Sequence, residues 1–389
     1  MEIRLDRYAI EDTGSVVTPA LLIYPEIVDS NIETTLRMVG SDPNRWRPHI
    51  KTAKLGAIVR RMLNHGIRNF KCSTTLELLT ACQSGAADVL LAFAVTGANA
   101  KRAIEIAREY PRAHVSVLAE SPQQVAAWRD APLGIFIDVN PGMDRTGVDQ
   151  ERVSEIVELA REAGKAFRGL HYYDGQMSGV APAEREAKAH QGYHQLLRIV
   201  DALASAGLNP GEVITSGTPA APFGYSYPGF RAGRFVHRIS PGTVVYNDFT
   251  SLEQLPGYEY APAALVLSTV ISHPTSRHIT CDAGHKSISA DAGVPTCAVM
   301  GRPGLKPLKP SEEHLPIEAA PGAELPRIGD KLYLVPRHVC PTVNNFDDAL
   351  MIVDGRIESV ERVTARGHEN PLVLGIGITE TNYFGAEIA

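Results

Sequence analysis

From residue 20 to about 250, short apolar runs alternate with longer amphipathic ones. ALLIY leads into PEIVDSNIETTLRMVG, whose apolar positions recur at helical spacing. RWRPHIK precedes LGAIVRRMLNHG, RNFKCST precedes LELLTACQSG, and DVLLAFAV precedes NAKRAIEIAREY. HVSVLAE is followed by PQQVAAWRD, LGIFIDVN by ERVSEIVELAREAG, and FRGLHYY by the long AEREAKAHQGYHQLLRIVDALASAG. EVITSG and a last apolar run, GTVVYND, close the series near residue 248. Strict alternation of this kind predicts parallel strands joined by crossover helices. It yields nine strand candidates where a (β/α)8 barrel needs eight, and ALLIY is the one to spare. An open doubly wound sheet fits the same pattern nearly as well.

Past residue 250 the helical period largely disappears. APAALVLSTVISH, RHITCDAG, DKLYLVP, ALMIVDG and RIESVERVTARG read as short strands with polar turns. Between them GRPGLKPLKPSEEHLPIEAAPGAELPRIG, rich in Pro and Gly, reads as loops. The expected organisation is a barrel over residues 20–250 and a β domain over 251–389, with residues 1–19 packing on the latter.

Composition narrows the class. The 389 residues have room for two domains, and 44% hydrophobic with 21% charged residues is ordinary for a globular enzyme. The net charge is −6 and Lys and Arg are dispersed, which argues against nucleic acid as a partner. Five scattered cysteines do not form a disulfide framework. MEIRLDRYAIEDTG holds charges throughout and no apolar signal core, and no apolar run has the length of a membrane span. A reduced, cytoplasmic protein with no membrane partner is expected.

The candidate chemistry begins at Trp46-Arg47-Pro48-His49-Ile50-Lys51-Thr52-Ala53-Lys54. Pro48 disfavours helix at Arg47, so an extended segment carries Lys51 to its carboxyl end, where α/β folds build their sites. A desolvated amine there loses its proton near neutral pH and forms an imine. Lys51 and His49 are the candidate catalytic residues. Turns after strands, Thr215-Ser216-Gly217-Thr218 and Ser240-Pro241-Gly242-Thr243, suit an anion through their backbone N–H groups. Arg145 in DVNPGMDRTGV and the pair Tyr172-Tyr173 in LHYYDG end two further strands, one tyrosine being expected to serve packing. His285 in DAGHK is expected to be solvated. In Pro336-Arg337-His338-Val339-Cys340, read as a strand, His338 and Cys340 share a face and offer imidazole plus thiolate to one cation. Buried core residues are the alternative.

Taken in order, PHxKT, DVN-x4-RTGV, YYDG, SGTP, PGTxVYND, DAGHK, EEH and HxCPTVN resemble the D-threonine aldolase and D-serine dehydratase family, fold-type III pyridoxal phosphate enzymes related to alanine racemase. The resemblance runs from about TPALLIY to ERVTARG. It implies an α/β fold, a TIM-like (β/α)8 barrel followed by an all-β C-terminal domain, usually as a homodimer. It implies that Lys51 binds the cofactor covalently, that Arg145 lies near its phenolic oxygen, and that Tyr173 lies beside its ring. Ser216, Gly217, Thr218, Gly242 and Thr243 match the phosphate turns. His338 and Cys340 match the metal pair, for which zinc is the first choice and manganese or magnesium the harder alternatives. The chain departs from the family at Ala53, where a histidine is common, at Gln176, where YDGH is common, and in a shortened SGT turn.

The implied activity is metal-assisted lysis of a small β-hydroxy-D-amino acid. Family aldolases tend to have Asp where Cys340 stands and dehydratases Cys, which leans the reading towards dehydration to a 2-oxo acid and ammonia. Retro-aldol cleavage to glycine and an aldehyde is the alternative. More remote are an amino-acid racemase, which would need no metal, and a pyridoxal phosphate carrier, which would need no catalytic β domain.

Overall fold

The computed structural model describes residues 7–371; residues 1–6 and 372–389 of the ranges expected for the β domain lie outside it. The run ALLIY forms β1 (Ala20–Ile23), which pairs with strands of the C-terminal sheet. The barrel strands follow in parallel and in chain order: β2 (Asn69–Cys72), β3 (Asp88–Leu91), β4 (His114–Ala119) and β5 (Gly134–Asn140), with β6 (Val148–Asp149) a spur on β5. Then come β7 (Phe167–His171), β8 (Glu212–Thr215) and β9 (Val236–Ile239).

Residues 46–50 close the ring. Trp46 bridges Ile239 and His49 bridges Lys71, both in parallel. Arg47 N–H donates to the Ile239 carbonyl at 2.9 Å, and Lys71 N–H to the Pro48 carbonyl at 2.9 Å. Pro48 lacks a donor but keeps its acceptor, so an extended segment through it still joins two neighbours. Closure on both sides excludes the open sheet.

The last barrel strand is not where the apolar pattern placed it. GTVVYND makes a single 3-10 turn at Thr243–Val245, and β9 is the preceding VHRI. His237 and Arg238 hide that strand from a hydrophobic count, yet both are buried with partners. His237 Nε2 meets Thr215 Oγ1 at 2.8 Å and its ring stacks on Phe230, while Arg238 pairs with Glu212 and donates to the Asn44 carbonyl.

Period-two alternation sorts the barrel interior into layers. At the amino ends of the strands lies an ion network around Arg47, which is wholly buried. Its guanidinium grips Glu212 at 2.7 and 2.8 Å and Asp88 at 2.8 Å, and Arg168 reaches Asp88 at 2.7 Å. Leu90, Leu118, Phe136 and Ile214 make an apolar plug above it. On β5 the next inward residue after Phe136 is Asp138, and from there to the carboxyl ends the interior is polar again.

The C-terminal sheet contains β10 (Ala264–Thr275), β11 (His278–Cys281), β12 (Cys297–Val299), β13 (Leu305–Pro307), β14 (Leu315–Ala319), β15 (Lys331–Pro336), β16 (Asp348–Val353) and β17 (Arg356–Arg362). The stretch expected to be loops therefore supplies β13 and β14. Its LPIEA alternates buried Leu315, Ile317 and Ala319 with half-buried Pro316 and Glu318, and pairing with β11 overrides the local Pro and Gly content. Near the amino end, Ile10 N–H donates to Tyr333 Oη and Glu11 N–H to the Gly355 carbonyl, so this segment lies on the same sheet.

Candidate active site

Lys51 follows the closing segment at the carboxyl mouth of the barrel, beside two adjoining cavities that share His49, Lys51 and Tyr173. The first, of about 290 Å3, is also lined by Thr218, Gly242, Thr243, Asp248, His338 and Cys340. The second, of about 350 Å3, is lined by Lys71, Asp138, Arg145 and His171. The Tyr173 ring is the common wall: Lys51 Nζ, Lys71 Nζ and the Arg145 guanidinium carbon lie 5.8, 5.2 and 5.0 Å from its centroid. Two glycines seat that ring. A methyl on Gly175 would come within 2.6 Å of it and one on Gly217 within 3.0 Å.

His49 Nδ1 accepts the Lys51 N–H at 3.2 Å, so the neutral ring keeps its proton on Nε2. Burial holds this imidazole well below its ordinary pKa, and the charges of Lys51 and Lys71 push the same way. Gly242 lies where the mouth is tightest, since a Cβ there would stand 2.2 Å from the His49 carbonyl oxygen. Thr218 and Thr243 begin single-turn helices, whose leading N–H groups have no partner within the helix. The Gly217 N–H is already taken by Asp174 Oδ1 at 3.0 Å, and Tyr193 donates to Asp174 Oδ2 at 2.7 Å. Burial lifts the Asp174 carboxyl to about 6 against these bonds.

The C-terminal domain reaches this mouth through one turn. β15 ends at Pro336; His338 is extended and Cys340 lies in a short helix, Val339–Val343. The expectation of a strand with both side chains on one face is thus corrected, because Pro341 and the Asp248 carboxylate favour a helix start. Proline is tolerated early in a helix, and Asp248 Oδ2 accepts the Val339 N–H at 3.0 Å. The two side chains still meet. Burial opposes ionisation of both, but the hydrogen bond and charge they share raise His338 to about 9 and lower the Cys340 thiol. His338 Nδ1 is held by Asp291 Oδ2 at 2.7 Å, which leaves Nε2 for other partners. Cys340 Sγ lies 3.0 Å from Thr52 Oγ1 and 3.6 Å from Thr243 Oγ1.

Lys51, His49, Tyr173, Gly217, Thr218, Gly242, Thr243, His338 and Cys340 thus line one cavity, and Arg145 lines its neighbour. Among the described residues Arg145 has no carboxylate partner. Ser216 is not brought to the mouth; its hydroxyl is buried against those of Tyr193 and Thr215. Lys54 is spent elsewhere, on Glu77 at 3.0 Å and the Ala365 carbonyl. Tyr172 is the packing tyrosine, edge-on to Tyr193, and His285 is exposed. Reading the sequence missed Lys71, Asp138, His171 and Asp248, and named Ser240 only as part of an anion-binding turn. The inward alternation of NFKC and GIFIDVN carried a signal for Lys71 and Asp138, since each puts a charged residue between apolar neighbours.

The donor set has a recognisable chemistry. Three cations around an aromatic wall, with free N–H groups and threonine hydroxyls opposite, fit an anionic planar ring carrying a phosphate. An imidazole held by a carboxylate, beside a thiol of lowered pKa, fits a soft divalent cation with open positions. Among the described residues no three His, Cys, Asp or Glu side chains form a metal group.

Residues 23–248 match the family described as the alanine racemase N-terminal domain, and residues 263–352 match a serine dehydratase domain. The chain is 28% identical to a D-threonine aldolase of Arthrobacter sp. over 90% of its own length and 93% of the relative's. It is 29% identical to a 3-hydroxy-D-aspartate aldolase of Paracoccus denitrificans, over 92% and 94%. Among solved structures, a D-threonine aldolase from Filomicrobium marinum superposes with a TM-score of 0.81 at 27% identity, over 90% of this chain and 96% of that one. A D-threo-3-hydroxyaspartate dehydratase from Delftia sp. HT23 shares the fold at 22% identity and a TM-score of 0.79, over 91% and 98%.

Proposed function

The chain belongs to the alanine racemase N-terminal domain family, and from that premise we propose that it is a pyridoxal phosphate-dependent, divalent-metal-assisted lyase of β-hydroxy-D-amino acids. The observation that carries the reading is the sharing of one cavity by Lys51 of the barrel and the His338–Cys340 pair of the β domain, with Thr52 in contact with Cys340. A racemase has no use for a soft cation site there.

Lys51 would hold the cofactor, with Thr218, Gly242 and Thr243 at its phosphate and Arg145 at its phenolic oxygen. His338 and Cys340 would hold the cation, for which imidazole and thiolate favour zinc. Pyridoxal phosphate supplies the electron sink that lets a bond at Cα break. The cation supplies a Lewis acid for the substrate's β-hydroxyl. Tyr173 fixes the plane against which the substrate's Cα bonds are set. In β-elimination Lys51 Nζ would take the substrate's Cα proton as the β-hydroxyl leaves. Retro-aldol cleavage would instead need a base for the β-hydroxyl proton and would break the Cα–Cβ bond. Asp248 fixes the His338 turn through Val339, and Asp291 orients the imidazole. Between the two outcomes we propose dehydration, on the strength of the Cys340 thiol. The names of the aldolase relatives favour cleavage as the second reading.

Incubation with D-threonine and with D-serine, with and without a chelator, tests this. Dehydration gives 2-oxobutanoate or pyruvate with ammonia, and cleavage of D-threonine gives glycine with acetaldehyde. Only serine or threonine epimers, formed equally well under chelation, would move the assignment to a racemase.

A further inference from the structure

The mouth of the barrel holds a lysine that the reaction outlined above does not use. Lys71, inward on β2, is 1% exposed and, among the described residues, has no carboxylate within ion-pair distance. A buried ammonium without a counter-charge is costly, so a fold does not place one idly. It is no part of the barrel's ion network, which lies at the opposite end. Its Nζ donates to Ser240 Oγ at 2.6 Å and faces His171 Nε2 at 3.4 Å. His171 Nδ1 is in turn 2.7 Å from Asp138 Oδ1. That carboxylate fixes the ring proton on Nδ1 and turns the Nε2 lone pair towards Lys71. With two of its hydrogens so directed, the ammonium has one left for the cavity it lines with Lys51 and Arg145.

We propose that Lys71 is a cofactor-facing residue, the donor that meets the ring nitrogen of the bound pyridine and determines whether that nitrogen carries a proton. The inference rests on the pyridoxal phosphate reading and deepens it. Besides its phosphate, the ring has three polar corners: the carbonyl carbon, the phenolic oxygen and the nitrogen. Three cations surround the Tyr173 wall. Lys51 is required at the first corner and Arg145 suits the second, which leaves Lys71 for the third. As an ammonium it donates to the nitrogen lone pair and keeps the ring neutral; as an amine it leaves the nitrogen free to be protonated. Burial draws Lys71 down to about 7, with the charges of Lys51 and Arg145 adding to the effect and those of Asp138 and Asp174 opposing it. His49 and His171, the other titratable groups facing it, are held neutral by burial. Both states of Lys71 are therefore within reach at neutral pH.

The test uses the holoenzyme loaded with pyridoxal phosphate labelled with nitrogen-15 in the ring, followed by NMR from pH 6 to 9. The wild-type ring-nitrogen shift should move with pH about a midpoint near 7. In Lys71→Met it should be displaced and lose that midpoint. Lys71→Arg, which keeps the charge and serves should the Met variant not fold, should hold the low-pH shift throughout. A wild-type shift without the midpoint, or one unchanged in either folded variant, overturns the role of Lys71. If no label binds and borohydride fixes none on Lys51, the cofactor reading fails first and takes this inference with it.

Discussion

Asp88→Asn removes one negative charge from the buried network at the amino end of the barrel while keeping its shape. Asp88 accepts from Arg47 at 2.8 Å and from Arg168 at 2.7 Å. Burial alone would raise this carboxyl, but the two guanidinium groups outweigh it and hold it at about 2 against an ordinary 3.8. A displacement of that size is worth about 2.5 kcal/mol at neutral pH. Because the folded value is depressed, the contribution is complete above the unfolded value, near pH 4, and is lost as the pH falls from there through about 2. Asp88→Asn should therefore lose about 2–3 kcal/mol in urea unfolding at pH 7, and the gap from wild type should be unchanged at pH 5 and narrowed by pH 3. Turnover by the folded variant should match wild type, since the apolar plug separates this network from the mouth. A loss below about 0.5 kcal/mol, or a gap that stays constant down to pH 3, would refute the network's electrostatic role.

Cys340→Ala should lower turnover of β-hydroxy-D-amino acids about 100-fold or more, with cofactor absorbance nearly unchanged; metal content measured alongside should fall in step. Cys340→Asp should shift the metal preference towards manganese or magnesium, read by reconstitution of the metal-free protein. Gly242→Ala should abolish cofactor binding or folding, because the added methyl would meet the His49 carbonyl oxygen at 2.2 Å; absorbance titration and circular dichroism separate the two. Lys54→Met should destabilise the fold by about 3 kcal/mol in urea unfolding, by leaving Glu77 buried without its cation, while a borohydride-fixed label still appears on the variant.

The barrel was legible because its strands are buried on both faces and read as apolar runs between amphipathic helices. That signal fails where the barrel interior is polar. β9 was overlooked because His237 and Arg238 interrupt it, and their burial depends on Thr215, Phe230 and Glu212, residues remote in the chain. Lys71 was passed over for the same reason. The lysine between Phe70 and Cys72 was a weak local mark without its neighbours Ser240 and His171, which lie 169 and 100 residues away. The site residues that could be read were those in compact turns, where Gly, Pro and Thr cluster. His338 and Cys340 came to one place through a helix start rather than a strand, so residue types were a better guide there than assumed periodicity. Ser216 shows the converse, since its motif reaches the mouth while its own hydroxyl turns into the core.

Reduction with borohydride followed by peptide mapping tests the central claim, that Lys51 is the residue to which the cofactor binds. The account predicts a single pyridoxyl label on Lys51, formed equally in the metal-free protein because its anchors lie in the barrel. A label on the buried amine of Lys71, a label on Lys54, or no label at all would contradict it.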